Sequence, residues 1–125
     1  MCCNIWGFFF HSSEFINNVS CFGLYDGSVT LSISGGIPTY TENWGNYNNN
    51  SLSVGNYNYT ITDNNGCTYT NTVTITEPSE IQISSIQNNV STCGAADGNI
   101  DITILGGTPP YIFNWSSGQN TGYYN

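Results

Sequence analysis

Few side chains in this sequence are able to do chemistry: one histidine, five cysteines and eight carboxylates, with no lysine or arginine. A Ser-His-Asp or Cys-His nucleophile would have to assemble around His11, and no activating motif lies near it. Structural zinc wants spaced cysteine pairs, whereas Cys2 and Cys3 are adjacent and no C-x-x-C occurs. Glycoside chemistry needs two opposed carboxyl groups. Here Asp26, Asp63 and Asp97 stand in Asp-Gly or Asp-Asn-Asn-Gly stretches, where aspartate is a turn former in its own right. The sequence therefore reads as non-enzymatic, with no catalytic residues and no cofactor. Asp26, Asp63 and Asp97, with Glu77 and Glu80 beside a linker, are also the residues that would hold Ca²⁺ at junctions between extracellular domains. No EF-hand spacing accompanies them, so turn formation is the preferred role and calcium the secondary one.

The formal charge of −8 excludes partner classes. Without guanidinium or ammonium groups the chain cannot neutralise phosphates, so nucleic acid is set aside. Anionic membrane surfaces repel it for the same reason, and no stretch reaches the length of a membrane span. Residues 1–10 carry an apolar cluster but neither a basic region nor a small-residue cleavage site. They read as an atypical segment rather than a signal peptide, as at a reading frame that opens inside a longer gene.

The elements that position these side chains repeat. Residues 17–44 and 88–115 align without a gap at an offset of 71. Identities include Asn17/Asn88, Val19/Val90, Asp26/Asp97, Gly27/Gly98, Gly35/Gly106, Gly36/Gly107, Pro38/Pro109, Tyr40/Tyr111 and Trp44/Trp115. Asp26-Gly27 launches a strand over Ser28–Ser34, in which Val29, Leu31 and Ile33 alternate with Ser and Thr. Gly35-Gly36 and Pro38 form the next turn, and Tyr40–Trp44 a second strand. From Gly55 a third strand presents Tyr57, Tyr59 and Ile61 to one side. A turn at Asp63–Gly66 precedes the last strand, Thr68–Thr76, with Tyr69, Val73 and Ile75 inward. Its outward threonines raise ice or glycan binding as an idea, but such a row more often forms the wet face of a sheet. Glu77-Pro78-Ser79-Glu80 is the linker, since proline and two charges do not continue a central strand.

Short alternating strands with frequent turns predict an all-β fold of tandem immunoglobulin-like β-sandwich repeats, the second incomplete. Three regions are expected: an atypical segment over 1–10, a complete repeat over 11–78 and a partial repeat over 79–125. Trp44, Tyr57 and Trp115 are the expected core aromatics, and Leu52-x-x-Gly55-x-Tyr57 looks like a tyrosine corner. Glu42 shares a face with Tyr40 and Trp44 and has no cation to pair with. It is expected at the sandwich edge, reaching water.

These motifs together resemble the SprB repeat of large surface proteins from gliding and related Bacteroidetes. They are Asn-Val-Ser-Cys21-Phe-Gly23, Asp26-Gly27, Gly35-Gly36-x-Pro38-x-Tyr40, Trp44, Gly55-x-Tyr57, Thr62-Asp63-x-x-Gly66-Cys67 and Thr76-Glu77-Pro78. The second copy carries Cys93-Gly94, Asp97-Gly98, Gly106-Gly107-x-Pro109-Pro110-Tyr111 and Trp115. The resemblance spans roughly residues 17–118. Cys93 sits one position later than Cys21, and Phe113 replaces Glu42.

The resemblance implies an extracellular or cell-surface adhesin module linked to gliding motility, exported by a type IX system and carrying no catalytic residues. As an adhesive stalk or spacer it would have adjacent repeats as partners, with surface glycans or other cells beyond them, and no membrane insertion. The alternative is a carbohydrate-binding module of a secreted hydrolase. For an exported protein, Cys21, Cys67 and Cys93 become disulfide candidates. A bridge from Cys21 to Cys67 within the repeat and bridges between successive repeats both stand open at this point.

Overall fold

The computed structural model describes residues 11–117 and 120–123, so the atypical segment 1–10, with Cys2 and Cys3, lies outside the described residues. Nine strands and no helix occur among the described residues. Contacts divide the chain between Glu77 and Pro78.

Unit 1 is a two-layer arrangement of five strands. β1 (His11–Asn17) pairs antiparallel with β2 (Ser28–Ser34). β3 (Thr41–Asn43), β4 (Gly55–Thr62) and β5 (Thr68–Ile75) form the second sheet, with β4 in the middle. Alternation explains which face each strand buries. Val29 from β2, Tyr57, Tyr59 and Ile61 from β4, and Val73 and Ile75 from β5 converge with Val19, Trp44 and Leu52 into one core cluster. Each fully buried Val, Leu or Ile contributes about 1.5–3 kcal/mol by leaving water. The layers also meet at the backbone: Val19 N donates to Thr76 O, and Gly27 and Leu52 exchange two hydrogen bonds of 3.0 and 2.8 Å.

β1 has no counterpart in the sequence-derived strands. Its inward positions are Ser12, Glu14 and Ile16, opposite Ile33, Leu31 and Val29 in the register. Two of the three are polar, so the hydrophobic period that marks a strand is missing there. Phe15, on the other face, is exposed.

Unit 2 repeats the first half of unit 1 strand for strand. β6 (Gln82–Asn88) and β7 (Asn99–Leu105) lie 71 positions after β1 and β2 and pair in the same register. Turn bonds recur as well. Tyr40 Oη donates to Gly35 O at 2.6 Å and Tyr111 Oη to Gly106 O at 2.5 Å. Ser20 N donates to Asp26 Oδ1, and Ser91 N to Asp97 Oδ1, each at 3.0 Å. Gly35, Gly36, Gly106 and Gly107 all adopt positive φ, the conformation this turn needs and glycine adopts without steric cost. β8 (Tyr111–Asn114) follows as the equivalent of β3, but it pairs with β9 (Asn120–Tyr123). Residues 120–123 correspond to Asn49–Leu52, which in unit 1 precede β4. Strands equivalent to β4 and β5 do not occur among the described residues of unit 2, and the apolar positions that match the unit 1 core are exposed there. Val29 is 0% exposed and its equivalent Ile100 52%; Val19 is 3% and Val90 51%.

Candidate functional site

The densest polar cluster lies inside unit 1, where β1 faces β4 and β5. Tyr59 Oη donates to Glu14 Oε1 at 2.5 Å, and Asn71 Nδ2 donates to the same oxygen at 2.8 Å. With the phenolic proton committed to Glu14, the hydroxyl of buried Ser12 is the donor in its 2.8 Å contact with Tyr59 Oη. The hydrogen bond from Tyr59 is the chief reason the Glu14 carboxyl sits below its ordinary range. Burial, reinforced by Glu14, pushes the Tyr59 phenol up. A carboxylate accepting two bonds and a phenol held protonated form a cross-sheet clasp. No buried side-chain nitrogen or oxygen among the described residues lacks a hydrogen-bond partner, those of this clasp included.

The turn aspartates are engaged by backbone in the same manner. Asp63 is buried and accepts from Ile37 N at 3.0 Å, Asn65 N at 2.9 Å and Cys67 N at 2.8 Å. These bonds, led by the one from Ile37, hold its carboxyl low. One side chain thereby ties the β2–β3 turn to the β4–β5 turn. Asp26 accepts from Ser20 Oγ at 2.5 Å and Ser20 N at 3.0 Å, and both Asp26 and Asp97 are held low chiefly by the hydroxyl of their serine partner. Glu77 Oε2 accepts from Gly23 N at 2.8 Å. Glu80 is exposed at the start of unit 2. Of the five carboxylates named for calcium, Asp26, Asp63 and Asp97 sit in separate turns, and no three His, Cys, Asp or Glu gather around one point among the described residues.

Cys21 and Cys93 are free, exposed thiols, and Cys67 is joined to neither. The bridge from Cys21 to Cys67 is therefore corrected, and the topology gives the reason. The loop holding Cys21 lies at the Thr76–Glu77 end of unit 1, where Val19 N and Gly23 N are bonded. Cys67 immediately precedes β5, at its other end. The eight residues of β5 separate the two ends by about 26 Å, at ~3.3 Å per residue. A disulfide needs Cα atoms roughly 4.4–6.8 Å apart.

Trp44 and Tyr57 are buried, while Trp115 is half-buried beside an open groove. Trp44 packs on Tyr59 with ring centroids 4.9 Å apart. Tyr57 Oη donates to Ser53 O at 3.0 Å, the backward bond of a tyrosine corner. Glu42 is exposed, and its carboxylate accepts from Trp44 Nε1 at 3.1 Å. It satisfies the indole N–H of a buried tryptophan while meeting water. The outward threonines of β5 are paired across the sheet. Thr70 bonds Thr60 at 3.1 Å, Thr72 donates to Asn58 Oδ1 at 2.6 Å and Thr74 to Asn56 Oδ1 at 2.7 Å. Such cross-strand pairs contribute roughly 0.2–1 kcal/mol each, and they stiffen the wet face of a sheet that has no salt bridges to use. Sequence reasoning missed the Glu14–Tyr59 clasp and these ladders, because their partners are far apart in the chain.

Comparison with known proteins accords with this geometry. The SprB repeat matches residues 13–49 and 84–120, segments offset by the same 71 positions as the strands. Each segment begins within the first strand of its unit and runs past the third, so residues 50–83, with β4 and β5, lie outside it. The match thus covers less than the sequence resemblance, which included Gly55, Tyr57 and Thr62–Cys67. No curated protein and no solved structure matches the chain. SprB repeats are structural repeats that occur in cell-surface proteins. With both copies matched over more than half its length, this chain belongs to the SprB repeat family.

Proposed function

We propose that this chain is an extracellular spacer of a surface adhesin, a module that separates a distal binding element from the cell and performs no catalysis. One observation carries this reading: both copies rebuild the same strands, register and turn bonds 71 residues apart, with the turn aspartates Asp26 and Asp97 and the turn tyrosines Tyr40 and Tyr111 spent on internal hydrogen bonds. Repetition with inward-directed chemistry suits length and stiffness better than turnover. The cation-free surface keeps neighbouring fibres apart at low salt and is screened within about 10 Å at 0.1 M. Export by a type IX system and a part in gliding go with this proposal.

Covalent ties between successive repeats belong to the same reading. Cys67 already holds a disulfide, so Cys21, free and exposed at the end of unit 1 from which the chain leaves, is a thiol of unit 1 open to such a tie. Oxidising extracellular conditions favour such bridges. The carbohydrate-binding alternative draws on exposed Phe22 and Tyr25 in one loop, since aromatic faces stack on sugars. A glycan array separates the two readings. A spacer gives no specific signal, whereas a reproducible hit abolished by Tyr25→Ala replaces it with glycan recognition.

A further inference from the structure

The linker Glu77-Pro78-Ser79-Glu80 is held from both sides, each side by its own unit. In unit 1, Thr76 is fixed through both backbone groups: its carbonyl accepts from Val19 N at 3.0 Å, and its N–H donates to Asn18 Oδ1 at 3.0 Å. The next residue is fixed by its side chain, since Glu77 Oε2 accepts from Gly23 N at 2.8 Å. A carboxylate on a backbone N–H makes a charge-assisted bond, roughly twice as strong as a neutral one. The loop presenting that N–H is itself locked. Asp26 takes both the N–H and the hydroxyl of Ser20, Leu24 N donates to Cys21 O at 3.2 Å, and Gly23 adopts a φ of 76°, which glycine reaches without steric cost. In unit 2 the Gly106-Gly107 turn closes on the other end of the linker. Gly107 N donates to Ser79 O at 2.7 Å. A Cβ at Gly106 would overlap the Glu80 carbonyl, and one at Gly107 would lie 2.5 Å from Ile81 Cγ1, so the turn is moulded on residues 79–81.

Between the two anchors stands Pro78. Its ring holds φ near about −65°, and the residue before a proline is confined to extended backbone, which restrains Glu77 as well. We infer that the junction of the two repeats is a latched pivot and not a free tether. Glu77 is the positioning residue on the unit 1 side, the Gly106-Gly107 turn is the clamp on the unit 2 side, and swivelling is confined to the backbone bonds flanking Pro78. The parts of this latch recur once per repeat. Gly94 and Asp97 rebuild the loop of Gly23 and Asp26, and Gly35-Gly36 share the positive φ of Gly106-Gly107. The inference rests on the spacer reading for its purpose, which is to keep slack out of a stalk. A pinned linker adds no extensible length between repeats, whereas a loose one of the same sequence would.

The test is nitrogen-15 relaxation together with amide hydrogen exchange on the whole chain. Backbone order parameters of Glu77, Ser79 and Glu80 should match those of β5, at about 0.85. Glu77→Ala should speed exchange of the Gly23 amide about tenfold and lower the order parameter of residue 77, while Ser79 and Glu80 stay unchanged because unit 2 holds them. Glu77→Gln keeps an acceptor oxygen and should recover most of the Gly23 protection. Glu80→Ala, which removes an exposed carboxylate of the same linker, should change neither quantity. Order parameters below about 0.6 across residues 77–80 of the unaltered chain would overturn the latch. So would Gly23 exchange that ignores Glu77→Ala, or equal acceleration by Glu80→Ala. A mobile linker would leave the spacer reading standing, since a stalk with loose joints still separates its ends. A specific glycan hit would remove the spacer reading without altering these amide measurements.

Discussion

Gly27 and Gly98 occupy the same position of two repeats that differ in what covers them, so one substitution reads the difference directly. A Cβ at Gly27 would lie 2.8 Å from Leu52 O and 2.9 Å from Ile75 Cγ2, inside contact distance of atoms on both covering segments. The backbone there cannot retreat, since Gly27 and Leu52 bond each other in both directions. Gly27→Ala is an overpacking change, expected to cost about 1–3 kcal/mol. At Gly98 the nearest atoms are Asn88 O and Val90 Cγ1, both at 3.3 Å. Val90 is half exposed, so it rotates into space that Leu52 and Ile75 fill in unit 1. Neither glycine needs positive φ, so alanine also removes unfolded-state freedom worth ~0.4–1 kcal/mol. Gly98→Ala should be neutral within about 0.5 kcal/mol by these opposing terms. For a unit of this size 1 kcal/mol moves Tm by roughly 4–8 °C. Calorimetric melting, with urea midpoints at unchanged m, should show a drop of at least 4 °C for Gly27→Ala alone. Equal destabilisation by both variants, or a neutral Gly27→Ala, would refute the idea that only unit 1 is closed by its later strands.

Tyr59→Phe removes the donor to Glu14 and the acceptor of Ser12 while leaving the ring packed on Trp44. The loss should be about 1–2 kcal/mol, because Ser12 is buried without a partner whereas half-exposed Glu14 regains water. Urea unfolding of Tyr59→Phe and Glu14→Gln, singly and together, should show strong non-additivity, and simple addition would deny the clasp. Acid should weaken the fold through the turns. Glu14, Asp26, Asp63 and Asp97 all have folded pKa values below their unfolded ones. Their stabilisation is complete above the unfolded values and disappears as pH falls through the folded ones, so Tm should decline below about pH 4. Protonation also relieves the self-repulsion of a chain without cations, so a Tm that rises steadily to pH 2.5 would mean that relief outweighs the turn carboxylates. Cys21 and Cys93 should both react with a maleimide in native buffer within minutes, and slow labelling of either would contradict its exposure. Proteolytic versions of any such assay call for chymotrypsin, since trypsin has no site to cut.

What the sequence disclosed and what it hid divide along physical lines. β2, β4 and β5 announced themselves because Val29-x-Leu31-x-Ile33, Tyr57-x-Tyr59-x-Ile61 and Val73-x-Ile75 alternate with Ser, Thr and Asn, and their turns carry Gly and Asp where φ demands them. β1 stayed hidden because Ser12 and Glu14 point into the molecule, where periodicity expects apolar residues. Their partners, Tyr59 and Asn71, lie 45 to 57 positions away. No local pattern encodes such a clasp. Glu42 was legible as an anomaly and placed at the edge, but its bond to the Trp44 indole requires coordinates. The cysteines show the same limit, since the sequence left a bridge from Cys21 to Cys67 open and only the two ends of unit 1 exclude it.

The account depends on one contrast above all: among the described residues the half-fold of β1 and β2 is covered by β4 and β5, whereas that of β6 and β7 is exposed. Native-state hydrogen exchange, resolved by segment, measures this directly. Amides of Ser28–Ser34, Gly55–Thr62 and Thr68–Ile75 should exchange only through global opening of unit 1, while those of Gln82–Asn88 and Asn99–Leu105 should exchange at least a hundredfold faster, about 2.7 kcal/mol less protected. Equal protection of the two units, or rapid exchange throughout Ser28–Ser34, would contradict it.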